Sequence, residues 1–186
     1  MTTSPLMSSP PSPPSPPSPP SGPSAPSVPV PADPAGRAGA GARPVGGSYD
    51  PAATTAGGIT GELARLEAQA ELSFGAELRI LREAGLDAHA GPFVEIGAGS
   101  GAVTRRLRAA LPGLAHTAVD IDGHLLAHAA GCGAELLVAD GAALPLPDDS
   151  AGFVLLRYVL QHLADPQAVL AEALRVLRPG GRIAVT

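Results

Sequence analysis

Short apolar runs alternate with helical patterns through the second half of this sequence, and this alternation limits the fold more than any other feature. The apolar runs predict strands at 93–96, 115–121, 135–139, 152–156 and 181–185, and the helical patterns predict helices at 104–111, 124–130 and 166–177. Strands and helices that follow one another through short turns form a parallel sheet with right-handed crossovers. The strand runs lack polar alternation, as expected when both faces are covered. The sequence therefore predicts a doubly wound α/β fold.

Two amphipathic helices are predicted before the sheet. In residues 61–72, Leu63 and Leu66 lie on one apolar face, and charged residues surround it. A second pattern begins at Phe74 and ends at Gly85, a plausible position for a glycine that terminates a helix. The sheet is therefore expected to follow N-terminal helices.

Proline is concentrated at the start of the chain: 15 of the 22 prolines fall in residues 1–47. From Ser9 to Ser21 the sequence repeats Ser-Pro-Pro four times, which favours solvated polyproline II over a packed core. Residues 1–47 are predicted to be disordered. A plain spacer, or a start codon assigned too far upstream, is favoured over a PxxP ligand for an SH3-like groove. Residues 48–186, one ordinary domain by length, are predicted to fold.

Charge and composition exclude several classes of partner. The net charge of −5 argues against a nucleic-acid-binding surface, which needs clustered positive charge. No targeting segment and no apolar run of membrane-spanning length is apparent, and the single Cys132 cannot form an intramolecular disulfide. A soluble cytoplasmic protein is expected.

Glycine occupies alternate positions in the segment VEIGAGSG, residues 94–101, between a predicted strand and a predicted helix. Gly97, Gly99 and Gly101 allow a sharp turn and leave no Cβ between the chain and a ligand. A nucleoside could therefore lie against the main chain. The same glycines would also suit a plain flexible turn.

Acidic residues end the second and third predicted strands. Ligands of doubly wound sheets bind beyond the carboxyl ends of the strands, so Asp120 and Asp140 are expected to line one crevice with the glycine loop. Asp120 is placed to accept hydrogen bonds from both hydroxyls of a ribose, and Asp140 from an exocyclic amine such as that of adenine. The alternative is a solvated turn, because a glycine follows each acid within three positions.

Five elements, in this order, resemble the class I S-adenosylmethionine-dependent methyltransferases of the small-molecule group: VEIGAGSG, Asp120, ADGAALPLPDDSAGF, RYVLQHL and LRVLRPGGRIAV. The resemblance covers residues 61–186. It implies a Rossmann-like parallel sheet, S-adenosylmethionine as cofactor, and methyl transfer to a small-molecule substrate. The implied cofactor-binding residues are Glu95, Gly97, Ala98, Gly99, Gly101, Asp120, Ile121, Asp140, Gly141 and Ala142.

Within this set, the resemblance assigns distinct parts of the cofactor. The three loop glycines would contact the methionine and adenosine parts, Asp120 the ribose, and Asp140 with the two residues after it the adenine. Glu95 would hold the loop or the amino group of the cofactor.

Two features depart from the family. Gly152 stands where the family usually has an aspartate at the start of the fourth strand, so any structural hydrogen bond from that carboxylate is missing. The chain ends at Thr186 with the predicted fifth strand, whereas the family continues to a strand order of 3-2-1-4-5-7-6. The expected order here is 3-2-1-4-5, without the 7-6 pair, in a truncated gene product.

Methyl transfer from a sulfonium depends mainly on alignment, so a general base is optional. The candidates are Arg157, Tyr158 and His162, just past the fourth strand, whose carboxyl end would face the methyl group. His162 could take a proton from an OH or NH acceptor, or could simply pack against or cap a helix. The first N-terminal helix resembles the lid helix of related methyltransferases, and its alternative is a simple packing helix.

Other readings stay open. His124, His128 and Cys132 lie four residues apart, but glycines on both sides of Cys132 break any helix there, so no metal site is predicted. A nicotinamide-binding dehydrogenase would need a Gly-x-Gly-x-x-Gly pattern whose last position falls on Ala102. A non-catalytic remnant that binds cofactor weakly, or merely folds, is the remaining alternative.

Overall fold

The computed structural model describes residues 58–186, which contain a five-stranded sheet with every adjacent pair parallel. The spatial order is β3-β2-β1-β4-β5, which confirms the predicted fold class and strand order. The predicted disorder of residues 1–47 lies outside the described residues. The strands are β1 (Phe93–Ile96), β2 (His116–Asp120), β3 (Glu135–Val138), β4 (Ala151–Leu156) and β5 (Leu177–Val185).

Helices cover both faces of this sheet. One face packs on a cluster that includes Phe93, Leu107 and Phe153, and the other on a cluster that includes Val119 and Val154. The central strands β1 and β4 are buried along their whole length, which explains their unbroken apolar sequence. The helices are α1 (Gly58–Glu83), α2 (Ala102–Ala110), α3 (Gly123–Leu126) and α4 (Pro166–Val176), with short 3-10 turns at Ala127–Ala129 and Leu160–His162.

The prediction of two N-terminal helices is wrong, because α1 is continuous. Ser73, at the expected break, donates its hydroxyl to the carbonyl of Gln69 four residues earlier and stays within the helix. Gly75 is tolerated in the interior at a cost of about 1 kcal/mol. The predicted terminator is confirmed: Gly85 adopts a φ of 96°, and the Leu86 amide donates to the Leu81 carbonyl at 2.8 Å.

The segment LRPGG was predicted as a turn before the fifth strand, and the structure instead includes it in β5. Ala151 pairs with Leu177 and Phe153 with Arg182, so the register shifts and residues 178–181 form an irregularity within the strand. Pro179 cannot donate to a ladder, and an irregularity of this kind is where a sheet tolerates it.

Gly152 allows a close approach of two backbone segments. A Cβ at this position would lie 1.8 Å from the carbonyl oxygen of Ala90, and the Gly152 amide donates to the carbonyl of Pro92 at 2.7 Å. The aspartate of related sequences would therefore not fit here. This contact holds the segment before β1 against β4.

Candidate functional site

A cleft opens at the carboxyl ends of the strands, where the three predicted loops meet. Gly97, Asp120 and Asp140 all line it, so the structure brings together residues that are far apart in sequence. The cleft holds about 360 Å³ of empty space, part of it open to solvent. Its lining residues are Ile96, Gly97, Val119, Asp120, Ile121, Ala139, Asp140, Gly141, Val159, Leu163 and Val169.

Neighbouring side chains leave no room for a Cβ at two glycines of the loop after β1. Gly97 has a φ of 76°, and a Cβ there would lie 2.1 Å from Cγ2 of Val159. Gly101, which precedes α2, has a φ of 73°, and a Cβ there would lie 2.3 Å from Cβ of Ala129. Both glycines are thus required by the fold, whether or not a ligand binds.

Asp120 connects the end of β2 to the glycine loop. Its Oδ2 accepts from the Gly99 amide at 2.6 Å, and its Oδ1 accepts from the Asp122 amide at 2.9 Å. Burial raises the pKa of this carboxyl above its usual value, against the lowering effect of the backbone hydrogen bonds. A carboxylate oxygen has two acceptor positions, so Asp120 keeps capacity for further donors in the cleft.

Asp140 lies exposed just beyond β3, next to the strand that ends in Asp120, and it also lines the cleft. Its Oδ1 accepts from the Ala142 amide at 2.9 Å, which fixes the turn that Gly141 begins. Gly141 lines the cleft beside it. The acidic side chain is therefore held at the rim by its own turn.

Two residues of α4 hold the crossover between β3 and β4, and sequence reasoning missed both. Glu172 accepts from the Leu144 amide at 2.8 Å, and Arg175 donates to the carbonyls of Leu144 and Leu146 at 3.1 and 2.9 Å. Arg175 also pairs with Glu172 and Asp148. Glu172 and Arg175 are three positions apart, a spacing that indicates only an ion pair along one helix. Their contacts with the loop join residues about 30 positions apart, which no local pattern reveals.

Glu95 points away from the cleft. Its Oε2 accepts from the Thr104 hydroxyl at 2.7 Å and lies 3.0 Å from Nε2 of His116, and its exposed fraction is 2%. Successive side chains of a strand face opposite sides, and the next residue, Ile96, lines the cleft. Glu95 thus joins β1, α2 and β2 on the opposite face.

Five of the ten proposed cofactor residues line the cleft, and the other five do not. The amides of Gly97 and Ala98 both donate to the Val119 carbonyl, at 2.8 and 2.9 Å, which anchors the start of the loop to β2. Ile121 lines the cleft and is 64% exposed. The residues outside the lining are Glu95, Ala98, Gly99, Gly101 and Ala142.

Arg157 connects the end of β4 to α1. Its guanidinium donates to the Glu77 carboxylate at 2.8 and 3.0 Å and to the Ser73 hydroxyl at 3.0 Å. An arginine stays protonated in proteins, so this group is suited to positioning and not to accepting a proton.

Tyr158 and His162 lie beyond Arg157 and are exposed. Tyr158 has a φ of 55°, unusual for a bulky side chain, and its ring lies under the Arg157 guanidinium at 4.5 Å. Nε2 of His162 lies 3.1 Å from Nε2 of Gln161. None of the three candidate catalytic residues lines the cleft.

Apolar side chains form much of the cleft wall, and sequence reasoning did not single them out. Val159, Leu163 and Val169 follow β4, and they line the cleft together with Ile96 at the end of β1. The spacing of Val159 and Leu163, four residues apart, indicates a helical face but not a ligand. The three-dimensional structure is needed to show that these side chains line the cleft.

Within residues 58–186, no group of three or more His, Cys, Asp or Glu side chains could hold a metal ion. The helix that would align His124, His128 and Cys132 ends at Leu126 and continues as a 3-10 turn. In the same part of the chain, no helix combines the length and the apolar character that a membrane span requires.

Comparisons with known proteins agree with this arrangement. Residues 94–185 match the family described as "Methyltransferase domain". Over 94 residues the chain is 37% identical to the malonyl-(acyl-carrier protein) O-methyltransferase of Hahella chejuensis, which covers 48% of this chain and 34% of that protein. Over 123 residues it is 33% identical to the demethylmenaquinone methyltransferase of Thermus thermophilus, which covers 61% of this chain and 56% of that protein.

Solved structures share the fold. A SAM-dependent methyltransferase of Thermotoga maritima, described as a possible histamine N-methyltransferase, superimposes with a TM-score of 0.57 at 26% identity, covering 68% of this chain and 57% of that one. The chain spans 34% and 56% of the two curated relatives named above. The matched domain, the sheet order and the cleft at the strand ends together identify residues 94–185 as a methyltransferase domain of the class I S-adenosylmethionine-dependent kind.

Proposed function

We propose that this chain binds S-adenosylmethionine in the cleft and directs its methyl group to a small-molecule acceptor. The observation that carries the proposal is the meeting of Asp120 and Asp140 with the glycine loop in one cleft. The glycines alone would not carry it, because the fold requires Gly97 and Gly101 by itself.

The side chains of the cleft fit the adenosine part of this cofactor. Asp120 offers a carboxylate, fixed on the loop, that can accept from two neighbouring ribose hydroxyls. Ile121 offers an exposed apolar surface for a flat base, and Asp140 offers an exposed acceptor for an exocyclic amine. The proposed roles of Gly99, Gly101, Ala98 and Ala142 are to shape the loops around this pocket.

The bound cofactor supplies a methyl group that is already activated by its sulfonium charge. The residues of this chain then have to align the acceptor and exclude water. Arg157 is suited to alignment, since it fixes α1 against the end of β4 through Glu77. Tyr158 and His162 remain the proposed groups for contact with the acceptor, and His162 for accepting a proton where the acceptor releases one.

A small, apolar acceptor is supported by the surface at the ends of β4 and β5. Tyr158 and Val185 are exposed there, and the Tyr158 amide donates to the carbonyl of Thr186 at 2.8 Å, which brings the two strand ends together. Demethylmenaquinone appears in the name of one relative and a malonyl-carrier protein in that of another. The apolar surface favours an acceptor of the first kind.

Two other functions make different demands on the cleft. A nicotinamide-dependent oxidoreductase would use the glycine loop and Asp120 but has no need of Asp140 at the rim. A non-catalytic remnant would bind the cofactor without transferring its methyl group. Binding and transfer therefore have to be measured separately.

Binding is tested by calorimetry of the full chain with S-adenosylmethionine, S-adenosylhomocysteine and NADH. We expect the first two to bind, and Asp120→Asn to weaken them by about 1 to 3 kcal/mol. Asp122→Asn is the matched control, because it removes the same charge two residues away and asparagine keeps the cap on α3. Tight binding of NADH alone would overturn the proposal.

Transfer is tested with cofactor labelled in its methyl group. Demethylmenaquinone and malonyl-(acyl-carrier protein) serve as probes, each incubated with wild-type chain and with the Asp120→Asn variant. Label on demethylmenaquinone that depends on Asp120 would support the proposed acceptor class. Cofactor binding without label on either probe would favour the remnant.

A further inference from the structure

The outward face of α1 carries a continuous apolar ridge. Its members are four residues apart and all exposed: Ala64, Ala68, Leu72, Ala76 and Ile80. The two large side chains, Leu72 and Ile80, are 88% and 55% exposed. The opposite face of the helix is buried in the domain through Ala70 and Leu81. The ridge is therefore not part of the domain core, within the described residues.

Rows of side chains four residues apart are the ridges that interlock when two helices pack at about 50° to one another. Large and small residues alternate along the central part of this ridge. A two-fold axis midway between Leu72 and Ala76 would place Leu72 opposite the partner's Ala76. The same axis would place Ile80 opposite the partner's Ala68, so each large side chain meets a small one.

Charge at the two ends of the ridge fits the same axis. Arg65 and Glu83 lie equally far from it, so Arg65 would lie opposite the partner's Glu83 at both ends of the interface. The Arg65 side chain is 47% exposed while it pairs with Glu62, and the guanidinium has five N–H donors to share. Glu83 is exposed at the end of α1. The helix face is thus complementary to itself in charge as well as in size.

Neighbouring registers lose this complementarity. An axis through Leu72 would place Arg65 opposite the partner's Arg79, two like charges. An axis through Ala76 would place Leu72 opposite the partner's Ile80, two large side chains in one hole. Of these three axes, the one between Leu72 and Ala76 avoids both conflicts and also pairs Arg65 with Glu83, and complementary charge of this kind fixes register more than it adds affinity.

We propose that two copies of this chain form a symmetric dimer through antiparallel packing of their α1 helices on this ridge. The interface is the same patch on both copies, as a two-fold axis requires. One helix pair covers less than the roughly 800 Å² per partner of a standard interface, so the dimer dissociates at micromolar concentration. The proposal goes beyond methyl transfer and stands whether or not the chain is active.

The test measures the molar mass of the full chain by light scattering and sedimentation equilibrium from low to high micromolar concentration. We expect a monomer of 18.4 kDa to convert to a dimer. Leu72→Arg weakens dimerisation by at least about thirtyfold, as expected for the centre of an interface. Leu174→Arg, at a leucine of α4 that is 58% exposed, is the matched control and leaves the dimerisation constant unchanged.

A second variant tests the register. The double substitution Leu72→Cys and Ala76→Cys, in a Cys132→Ser background, is expected to give a disulfide between position 72 of one copy and position 76 of the other, read by mass spectrometry. A chain that stays monomeric throughout the concentration range overturns the proposal. So does a dimer that forms equally well in Leu72→Arg, since its interface would then lie elsewhere.

Discussion

The carboxylate of Asp120 accepts a hydrogen bond of 2.6 Å from the amide of Gly99, 21 positions earlier in the chain. The end of β2 therefore fixes the loop that follows β1 before any ligand arrives. A side chain proposed to contact the ribose is also the side chain that orders the loop. Substitutions of Asp120 will change both, whereas Asp122→Asn removes a nearby charge and leaves the hydrogen bond from Gly99 in place.

Cofactor affinity is expected to fall as the pH is lowered into the acid range. Burial raises the pKa of Asp120 above its usual 3.8, so the free protein begins to protonate this carboxyl at a higher pH than an exposed aspartate does. Ribose hydroxyls that donate to the carboxylate favour its ionised form, so binding releases a proton in this range. Asp120→Asn is expected to reduce this pH dependence.

Calorimetry in two buffers of different ionisation enthalpy measures this proton release. The folding of the free chain has the opposite sign: a raised pKa of an acid favours folding most below pH 3.8, and that contribution is lost as the pH rises through the pKa of the folded state. Equal cofactor affinity on both sides of this range, with the fold intact by circular dichroism, would contradict the role of Asp120.

Gly97→Ala is expected to destabilise the domain by about 2 to 4 kcal/mol. A left-handed backbone costs an alanine about 1 to 2 kcal/mol, and the overlap with Val159 adds strain of similar size. In a Val159→Ala background only the backbone cost should remain. Gly113→Ala is the control, since a Cβ there meets only Ala88 at 4.0 Å. Denaturant unfolding of the five proteins, including wild type, checks the prediction, and an equal cost in both backgrounds would refute the overlap.

The Arg157–Glu77 ion pair is expected to stabilise the docking of α1. Both side chains are largely buried, at 12% and 15% exposed, so removal of one partner leaves a desolvated charge and costs about 3 kcal/mol. Arg157→Met with Glu77→Gln together should cost less than the sum of the two. Glu71→Gln, at a carboxylate 76% exposed in its pair with Arg106, should cost less than about 1 kcal/mol.

Unfolding of the two single variants, the double variant and the control measures this coupling. Cofactor affinity should stay unchanged in Arg157→Met, since the side chain does not line the cleft. Additive costs would show that the pair contributes no coupling.

Arg175→Ala is expected to loosen the crossover after β3 and to weaken cofactor binding by about 1 kcal/mol. Arg175 donates to the carbonyls of Leu144 and Leu146, in the loop that starts at Asp140. Hydrogen exchange of residues 142–150 should accelerate in the variant, whereas Arg82→Ala, at an exposed position of α1, should change neither property. Unchanged exchange in a folded variant would mean that the loop is held by other contacts.

The sequence was sufficient to predict the sheet and the three loops at its edge, because strands buried on both faces are read from local apolar runs. Burial on both faces also made the orientation of Glu95 unpredictable from the sequence. Polar alternation, which would have shown which side chains share a face, is absent from a strand covered on both sides. The structure places Glu95 with Thr104 and His116, and Ile96 in the cleft.

Contacts across long chain separations could not be predicted in the same way. The sequence shows that Arg157 directly follows β4, yet its partner Glu77 lies 80 positions away on α1. The break predicted near Ser73 also failed, because packing of the whole buried face of α1 outweighs a local preference for ending the helix. Local pattern thus predicts the elements, and three-dimensional neighbours decide their ends and their ion pairs.

The crowding of Val159 and Ala129 against the glycine loop has an evolutionary consequence. A descendant that no longer bound any nucleoside would still be selected to retain Gly97 and Gly101, for as long as it kept its shape. Asp140, exposed at the rim, would be among the first positions to drift. Under the role proposed for Asp140, an acid retained after β3 in related sequences is therefore better evidence of cofactor binding than the two retained glycines.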